Sequence, residues 1–169
     1  RKGDYYRGEL RATNSSTALW LGVTNLAVLN NGSNPDLMTN ATGKTFIPRT
    51  PETFYYDWDG NLTNDGRWTY TWDAENRLIR MVANTAVGPQ QRIDFDYDWR
   101  GRRTSKRVWN NTAGSGLPSI ALTFLYDEWN LLAELAPLAG NALVRSYAWG
   151  LDLSGTQQGA GGVGGLLLS

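Results

Sequence analysis

Tyr97-Asp98-Trp99-Arg100-Gly101-Arg102-Arg103 is the stretch on which the fold turns. An Asp opening a type I turn can accept a hydrogen bond from the backbone N–H two residues on. Gly101 then falls at the left-handed position of a short hairpin loop closed by a G1 bulge. Glycine takes positive φ freely, and asparagine is the next most tolerant residue. Tyr97 ends the incoming strand. Before it, Ile93-Asp94-Phe95-Asp96 alternates apolar and acidic residues, the period of a half-buried strand. This turn predicts that Tyr97 faces Arg103, Asp96 faces Thr104 and Asp94 faces Lys106. Such cross-strand charge pairs contribute roughly 0.2–1 kcal/mol each, so they tune register. Burial of the aromatic face, at about 25 cal/mol per Å² of apolar area, contributes more.

The unit recurs. Tyr56-Asp57-Trp58-Asp59-Gly60-Asn61-Leu62, Trp72-Asp73-Ala74-Glu75-Asn76-Arg77-Leu78 and Tyr126-Asp127-Glu128-Trp129-Asn130-Leu131-Leu132 repeat it. The expected turn residues are therefore Asp57 with Gly60, Asp73 with Asn76, Asp98 with Gly101 and Asp127 with Asn130. The repeat aromatics are Tyr56, Trp72, Tyr97 and Tyr126, with Trp149 as a further one. Trp68-Thr69-Tyr70-Thr71-Trp72 adds a second alternating flank. A repeated supersecondary unit builds a surface by stacking and rarely a unique catalytic site.

Composition narrows the classes. The 169 residues carry no net charge, eight Trp and eight Tyr. Large aromatics suit a sheet with one wet side, where Tyr O–H and Trp N–H still find partners. No basic stripe stands out, and Arg100, Arg102 and Arg103 sit in a turn, so nucleic acid is not an expected partner. The chain has no Cys and no His, which removes thiol nucleophiles, disulfides, the usual zinc sites and His acid–base chemistry. No run is long and apolar enough for a transmembrane helix. The chain starts at Arg1 and reads as an internal piece of a longer protein.

Three stretches follow. Residues 1–53 should hold N-terminal strands, at 5–10 and 19–21, with the largely apolar 21–29 as another. A long loop at 30–53 should hold one short strand near Phe46. Residues 54–152 carry the hairpins, with a Gly/Ser/Asn loop at 110–118 and a turn at 137–141. Residues 153–169 form an uncharged Gly-rich tail, loose or covering. No long amphipathic pattern is present, so the class is all-β, a strip of consecutive hairpins.

These residues resemble the tyrosine-aspartate (YD) repeats of bacterial Rhs proteins, related to those of teneurins. The blocks at 50–78 and 124–166, including Tyr147-Ala148-Trp149-Gly150-Leu151-Asp152 and the Gly-rich 158–166, carry the likeness. The resemblance implies a strip of hairpins spiralling into a hollow shell, which in many such proteins encloses a C-terminal toxin. It also implies a bacterial, secreted or cell-surface setting. The sequence ends before the family's core-terminal, self-cleaving and toxin regions, so no such activity is carried to any residue.

Other patterns weigh less. Asp57, Asp59, Gly60 and Asn61 look like the start of a calcium loop, but Trp68 occupies the closing Glu position. Asp94, Asp96 and Asp98 share a face, with Lys106 and Arg102 as their expected partners. No carboxylate pair is singled out for glycoside hydrolysis. Gly159 to Gly164 fits G-x-G-x-x-G, but without the strand and helix that a dinucleotide site needs. Asn14, Asn40 and Asn110 open N-x-[ST] triplets of the kind chance supplies in an Asn/Thr-rich chain.

The reading is thus of a structural, non-catalytic shell segment that encloses or presents another polypeptide: no enzyme, no cofactor, no metal. Its expected partners are the rest of its own longer chain or further copies of itself, including as a homo-oligomer or filament, and an enclosed toxin. Two alternatives are a self-assembling extracellular fibre or tube subunit, and a glycan- or protein-binding surface module.

Overall fold

A computed structural model describes residues 8–169. Thirteen strands follow one another with no α-helix among the described residues. They are β1 (Leu19–Leu29), β2 (Leu37–Ile47), β3 (Tyr55–Tyr56), β4 (Leu62–Asn64), β5 (Trp68–Trp72), β6 (Leu78–Ala83) and β7 (Arg92–Tyr97). Then come β8 (Arg103–Trp109), β9 (Ile120–Asp127), β10 (Asn130–Ala136), β11 (Ala142–Ser146), β12 (Ala148–Trp149) and β13 (Leu166–Leu168). Strands β3 to β11 make one nine-stranded antiparallel sheet in strict sequence order, and β1–β2 and β12–β13 make two-stranded ribbons.

Strict order means that every connection in the large sheet is a hairpin. One face carries Trp68, Tyr70 and Trp72, continued across the register by Met81, Ile93 and Phe95. The other carries Thr69 and Thr71, then Arg80, Arg92, Asp94 and Asp96. Asp94 is 7% exposed and lies between Arg80 and Arg92, at 2.9 and 2.6 Å. Asp96 meets Arg107 at 2.9 Å.

A β-bulge follows each repeat tip. Registers slip between Tyr55 and Tyr56, Thr71 and Trp72, Asp96 and Tyr97, and again between Leu131 and Ala133. The unmatched residues are Thr63, Ile79, Thr104 and Leu132. This corrects the expected register. Tyr97 does face Arg103, but with Thr104 extra, Asp96 faces Ser105 and Asp94 faces Arg107. Lys106 is turned to the opposite face, beside Phe95, and pairs with neither Asp94 nor Asp96. Each bulge bends its strand and tightens the right-handed twist, so the sheet receives one bend per repeat.

Two further expectations are corrected. Residues 37–47, expected mainly as loop, form a strand paired residue for residue with β1. Eleven ladder positions and β-branched Thr39, Thr42 and Thr45 outweigh the loop-like composition. Residues 8–10 of the expected strand at 5–10 form no strand, and the remainder of it lies outside the described residues. The ribbon docks through Arg67, whose guanidinium lies 5.8, 5.0 and 5.3 Å from the Trp20, Phe46 and Trp68 rings. Gly88, at φ +80, leaves room for the Trp20 ring.

Burial is thin. Only Ala18, Phe95, Val108 and Trp109 form buried apolar positions among the described residues, and no large side chain is fully enclosed. The accessible surface is 11899 Å², against about 8,300 Å² for a compact monomer of this mass. The sheet is a single layer that leaves apolar surface open on its faces and rims.

Desolvation pushes the Asp94 carboxyl up, but hydrogen bonds from Arg92 and Arg80 outweigh it and hold the carboxyl at about 2. A depressed Asp stabilises the fold fully above its unfolded value of 3.8 and loses that contribution as pH falls towards 2. With Arg80 partly solvated, the contribution should be about 2 kcal/mol. Asp94→Asn should flatten acid denaturation between these pH values, measured by chemical unfolding at a series of pH.

Candidate functional site

The four repeat tips lie along one rim of the nine-stranded sheet, because each joins an odd strand to the next even one, from β3–β4 through β9–β10. Three share one geometry. At Asp57, Asp73 and Asp98 the carbonyl accepts the N–H of Gly60, Asn76 and Gly101, at 3.2, 3.0 and 3.0 Å. The Asp N–H then donates to the carbonyl of Asn61, Arg77 or Arg102, each at 3.0 Å. The left-handed residues are Gly60 (φ 85), Asn76 (φ 60) and Gly101 (φ 80).

Each carboxylate ties its loop together. Asp98 accepts the N–H of Arg100 and of Arg102, both at 2.9 Å, and Nε of Arg102 at 2.7 Å. Asp73 does the same with Glu75 and Arg77, and Asp57 with Asp59 and Asn61. The Asn61 side-chain bond at Asp57 and the Arg77 backbone bond at Asp73 lead in holding those carboxyls below their ordinary range. At Asp98 desolvation pushes upward, and the Arg102 and Arg100 bonds outweigh it.

Tips are also joined to one another. Asn61 Nδ2 donates to Asn76 Oδ1 at 2.7 Å, and Arg77 Nη1 to the Asp98 carbonyl at 3.2 Å. Arg102 donates to the Glu128 carbonyl, and Arg100 pairs with the Glu128 carboxylate. The repeat aromatics make a second link. Trp72 Nε1 donates to Leu62 O at 2.8 Å, Tyr97 OH to Leu78 O at 2.8 Å, and Trp149 Nε1 to Leu131 O at 2.7 Å. Each acceptor lies just past the preceding tip. At Trp72 and Tyr97 this accounts for Trp or Tyr, rather than Phe, before the Asp, because the ring there carries the donor. Tyr126 instead lies beneath Arg102, 5.2 Å away, and Tyr56 is exposed on edge strand β3.

The fourth tip departs from the sequence expectation. Asp127 pairs directly with Asn130 across a two-residue loop. The positive φ falls on Glu128 (φ 47), while Asn130 is a buried strand residue. One residue fewer in the loop moves the left-handed position forward by two.

A fifth Asp-capped turn was not singled out in the sequence. Gly155 N–H donates to Asp152 O at 2.9 Å, and Asp152 N–H to Thr156 O at 2.7 Å. Its only signal was Asp-x-x-Gly, because Leu151 stands where a ring was expected. Asp152 Oδ1 accepts the Ser154 N–H and hydroxyl, at 2.9 and 2.6 Å. Oδ2 accepts the N–H of Ala160 and Gly162, at 2.6 and 3.2 Å. The Ser154 hydrogen bond leads in holding its carboxyl at about 2. Asp152 thereby folds the Gly-rich segment back so that β13 pairs with β12. Gly162 is required there, since a Cβ would run into Asn130 Oδ1.

No family model matches the chain. Over 99 residues, 59% of the chain, it is 34% identical to the tRNA3(Ser)-specific nuclease WapA of Bacillus spizizenii. It is 33% identical over the same length to the tRNA nuclease WapA of Bacillus subtilis strain 168 and to the tRNA(Glu)-specific nuclease WapA of Bacillus subtilis subsp. natto. The match spans 4% of the length of each of these relatives. The expectation that the protein is not an enzyme is overturned by these names, since all three relatives are nucleases. The relatives are bacterial, and no helix among the described residues is long and apolar enough to cross a membrane.

Removing the Tyr97 hydroxyl as Tyr97→Phe should cost about 1 kcal/mol in urea unfolding, by leaving the Leu78 carbonyl without this partner. Asn76→Gly should be close to neutral, relief of the positive φ offsetting loss of the exposed Asn61 Nδ2 hydrogen bond. Asn130→Gly should destabilise by about 1 kcal/mol, because that position is extended and packed. Equal responses at the two Asn positions would contradict the two tip geometries.

Proposed function

We propose that the chain is a segment of a YD-repeat strip, the curved wall of a larger bacterial protein that cleaves tRNA. In this reading the strip encloses or presents another part of the same polypeptide, outside the cell or at its surface. The observation that carries it is the linked row of Asp-capped tips with a bulge after each: a device that repeats a bend and needs no second layer. The open faces and the surface excess over a compact monomer support it, since such a strip acquires its inner contents from elsewhere. Similarity to the WapA nucleases supports the wider setting, and tRNA cleavage is then an activity of the longer protein.

The test uses the longer reading frame that contains these residues. Purified longer protein should cleave tRNA in vitro, and electron microscopy should show a hollow particle. Paired substitutions Asp73→Ala and Asp98→Ala, which break two neighbouring tips, should open that particle and expose its interior to protease. A longer protein with no tRNA cleavage would remove the nuclease setting. A compact particle without a cavity, indifferent to loss of Asp73 and Asp98, would remove the wall.

A further inference from the structure

The two faces of the nine-stranded sheet answer their charges differently. On the face of Thr69 and Thr71, Arg80 and Arg92 close on Asp94, and Arg107 closes on Asp96. The aromatic face runs from Trp68 and Tyr70 through Ile93 and Phe95 to Val108 and Leu122. It carries two cations on β8. Lys106 is half-buried between Phe95 and Leu122, its partners in the register. Arg103 lies 4.2 Å from the Phe95 ring and 5.8 Å from that of Tyr97. Among the described residues neither cation has a carboxylate within ion-pair distance. Glu134, which β10 places on the same face, stands opposite Arg145 and accepts the Tyr147 hydroxyl. The strands packed with β8 are its sheet neighbours β7 and β9, and the β1–β2 ribbon docks elsewhere, at Arg67 and Gly88.

We propose that this aromatic face is the binding surface for an acidic stretch of polypeptide, with Lys106 and Arg103 as its carboxylate contacts. The inference goes beyond the wall reading, since it concerns what meets the sheet and not whether the strip closes. Three observations commit the occupant. The first is charge. A partner that covers the rings covers Lys106 and Arg103 with them, and a cation taken out of water costs more than apolar contact returns unless an anion meets it. The second is spacing. Lys106 and Arg103 stand roughly 7–10 Å apart along one strand, so carboxylates two residues apart on an extended segment reach both. The third is that the rings are already engaged. Tyr70 OH donates to Asp65 Oδ2 at 2.7 Å, and Trp72 and Tyr97 are held through their polar ends on backbone carbonyls. Phe95 is 7% exposed, beneath Arg103. A single-stranded nucleic acid needs free ring faces on which its bases stack. The chemistry left to offer is two cations in an apolar bed, which fits carboxylates interleaved with apolar side chains.

Fluorescence anisotropy on the 169-residue chain tests this. The probe is a labelled peptide of alternating Glu and Leu, about ten residues long. It should bind with a Kd between about 10 μM and about 1 mM, and more weakly as salt is raised. The same peptide with Gln in place of Glu should bind at least about tenfold more weakly. Lys106→Gln with Arg103→Gln should weaken binding of the Glu peptide about tenfold. Lys44→Gln with Arg49→Gln, which removes as much charge away from this face, should leave it unchanged. Lys106→Glu should reverse the preference, towards a peptide of alternating Lys and Leu. If the double variant at 103 and 106 loses its β circular dichroism, Lys106→Gln alone carries the test, with an expected loss of about threefold. No binding up to about 1 mM, equal binding of the Glu and Gln peptides, or face variants that bind like the parent would each overturn the proposal. So would tRNA that binds more tightly than the Glu peptide and depends on the same two residues. None of these outcomes involves a hollow particle, so failure here leaves the wall reading standing, and a compact longer protein leaves this surface standing.

Discussion

A carboxylate that closes its own reversal is the interaction on which this structure depends. Asp57, Asp73 and Asp98 each satisfy the N–H groups a tight loop would otherwise leave to water. The same loop fixes a G1 bulge and so the departure of the next strand. Because the residue four positions on also binds that carboxylate through its side chain, the tip is held from both ends. Without this, a sheet of two- to eight-residue strands would have weakly specified register. With it, register is set locally, one hairpin at a time.

The second consequence is cumulative. Tyr97 and Trp72 reach back to the strand that leaves the previous tip, and Arg77 and Arg102 reach forward to the next one. Every hairpin is therefore tied to its neighbours on the tip side by more than the ladder. A bulge placed after each tip gives every repeat a bend at the same place in the hairpin. The ties between tips help hold a nine-stranded sheet in which, among the described residues, only Phe95, Val108 and Trp109 are buried apolar positions. The ion row of Arg80, Asp94 and Arg92 then takes the place of packing on one face, where a second sheet would ordinarily sit.

This bears on how the chain relates to the WapA nucleases. The shared 99 residues are a small part of each relative, and what the present structure explains is a strip of hairpins rather than chemistry. The nuclease names nonetheless replace the expectation of a protein without enzymatic activity. A strip that gains stability from local closure can be lengthened hairpin by hairpin without redesigning a core, which is compatible with the enclosing role proposed above.

The sequence alone determined the hairpins and their tips, because turn chemistry is local. Asp followed three residues later by Gly or Asn places a capped reversal without knowledge of anything distant, as at Asp57, Asp73 and Asp98. What it could not determine was whatever depends on partners across the sheet. The bulges at Ile79 and Thr104 leave no mark in composition, yet the one at Thr104 moves Lys106 to the wrong face for Asp94. Asn130 reads like Asn76 but lies extended, because its loop is one residue shorter. Residues 37–47 have the composition of a loop and become a strand because β1 offers eleven matching positions. Asp152 carries the turn signal without its ring, and only the returning Gly-rich segment shows why that carboxylate is surrounded. Local bonding is written in neighbouring residues; bulges, faces and rims arise from pairing between strands, and that is settled only when the sheet assembles.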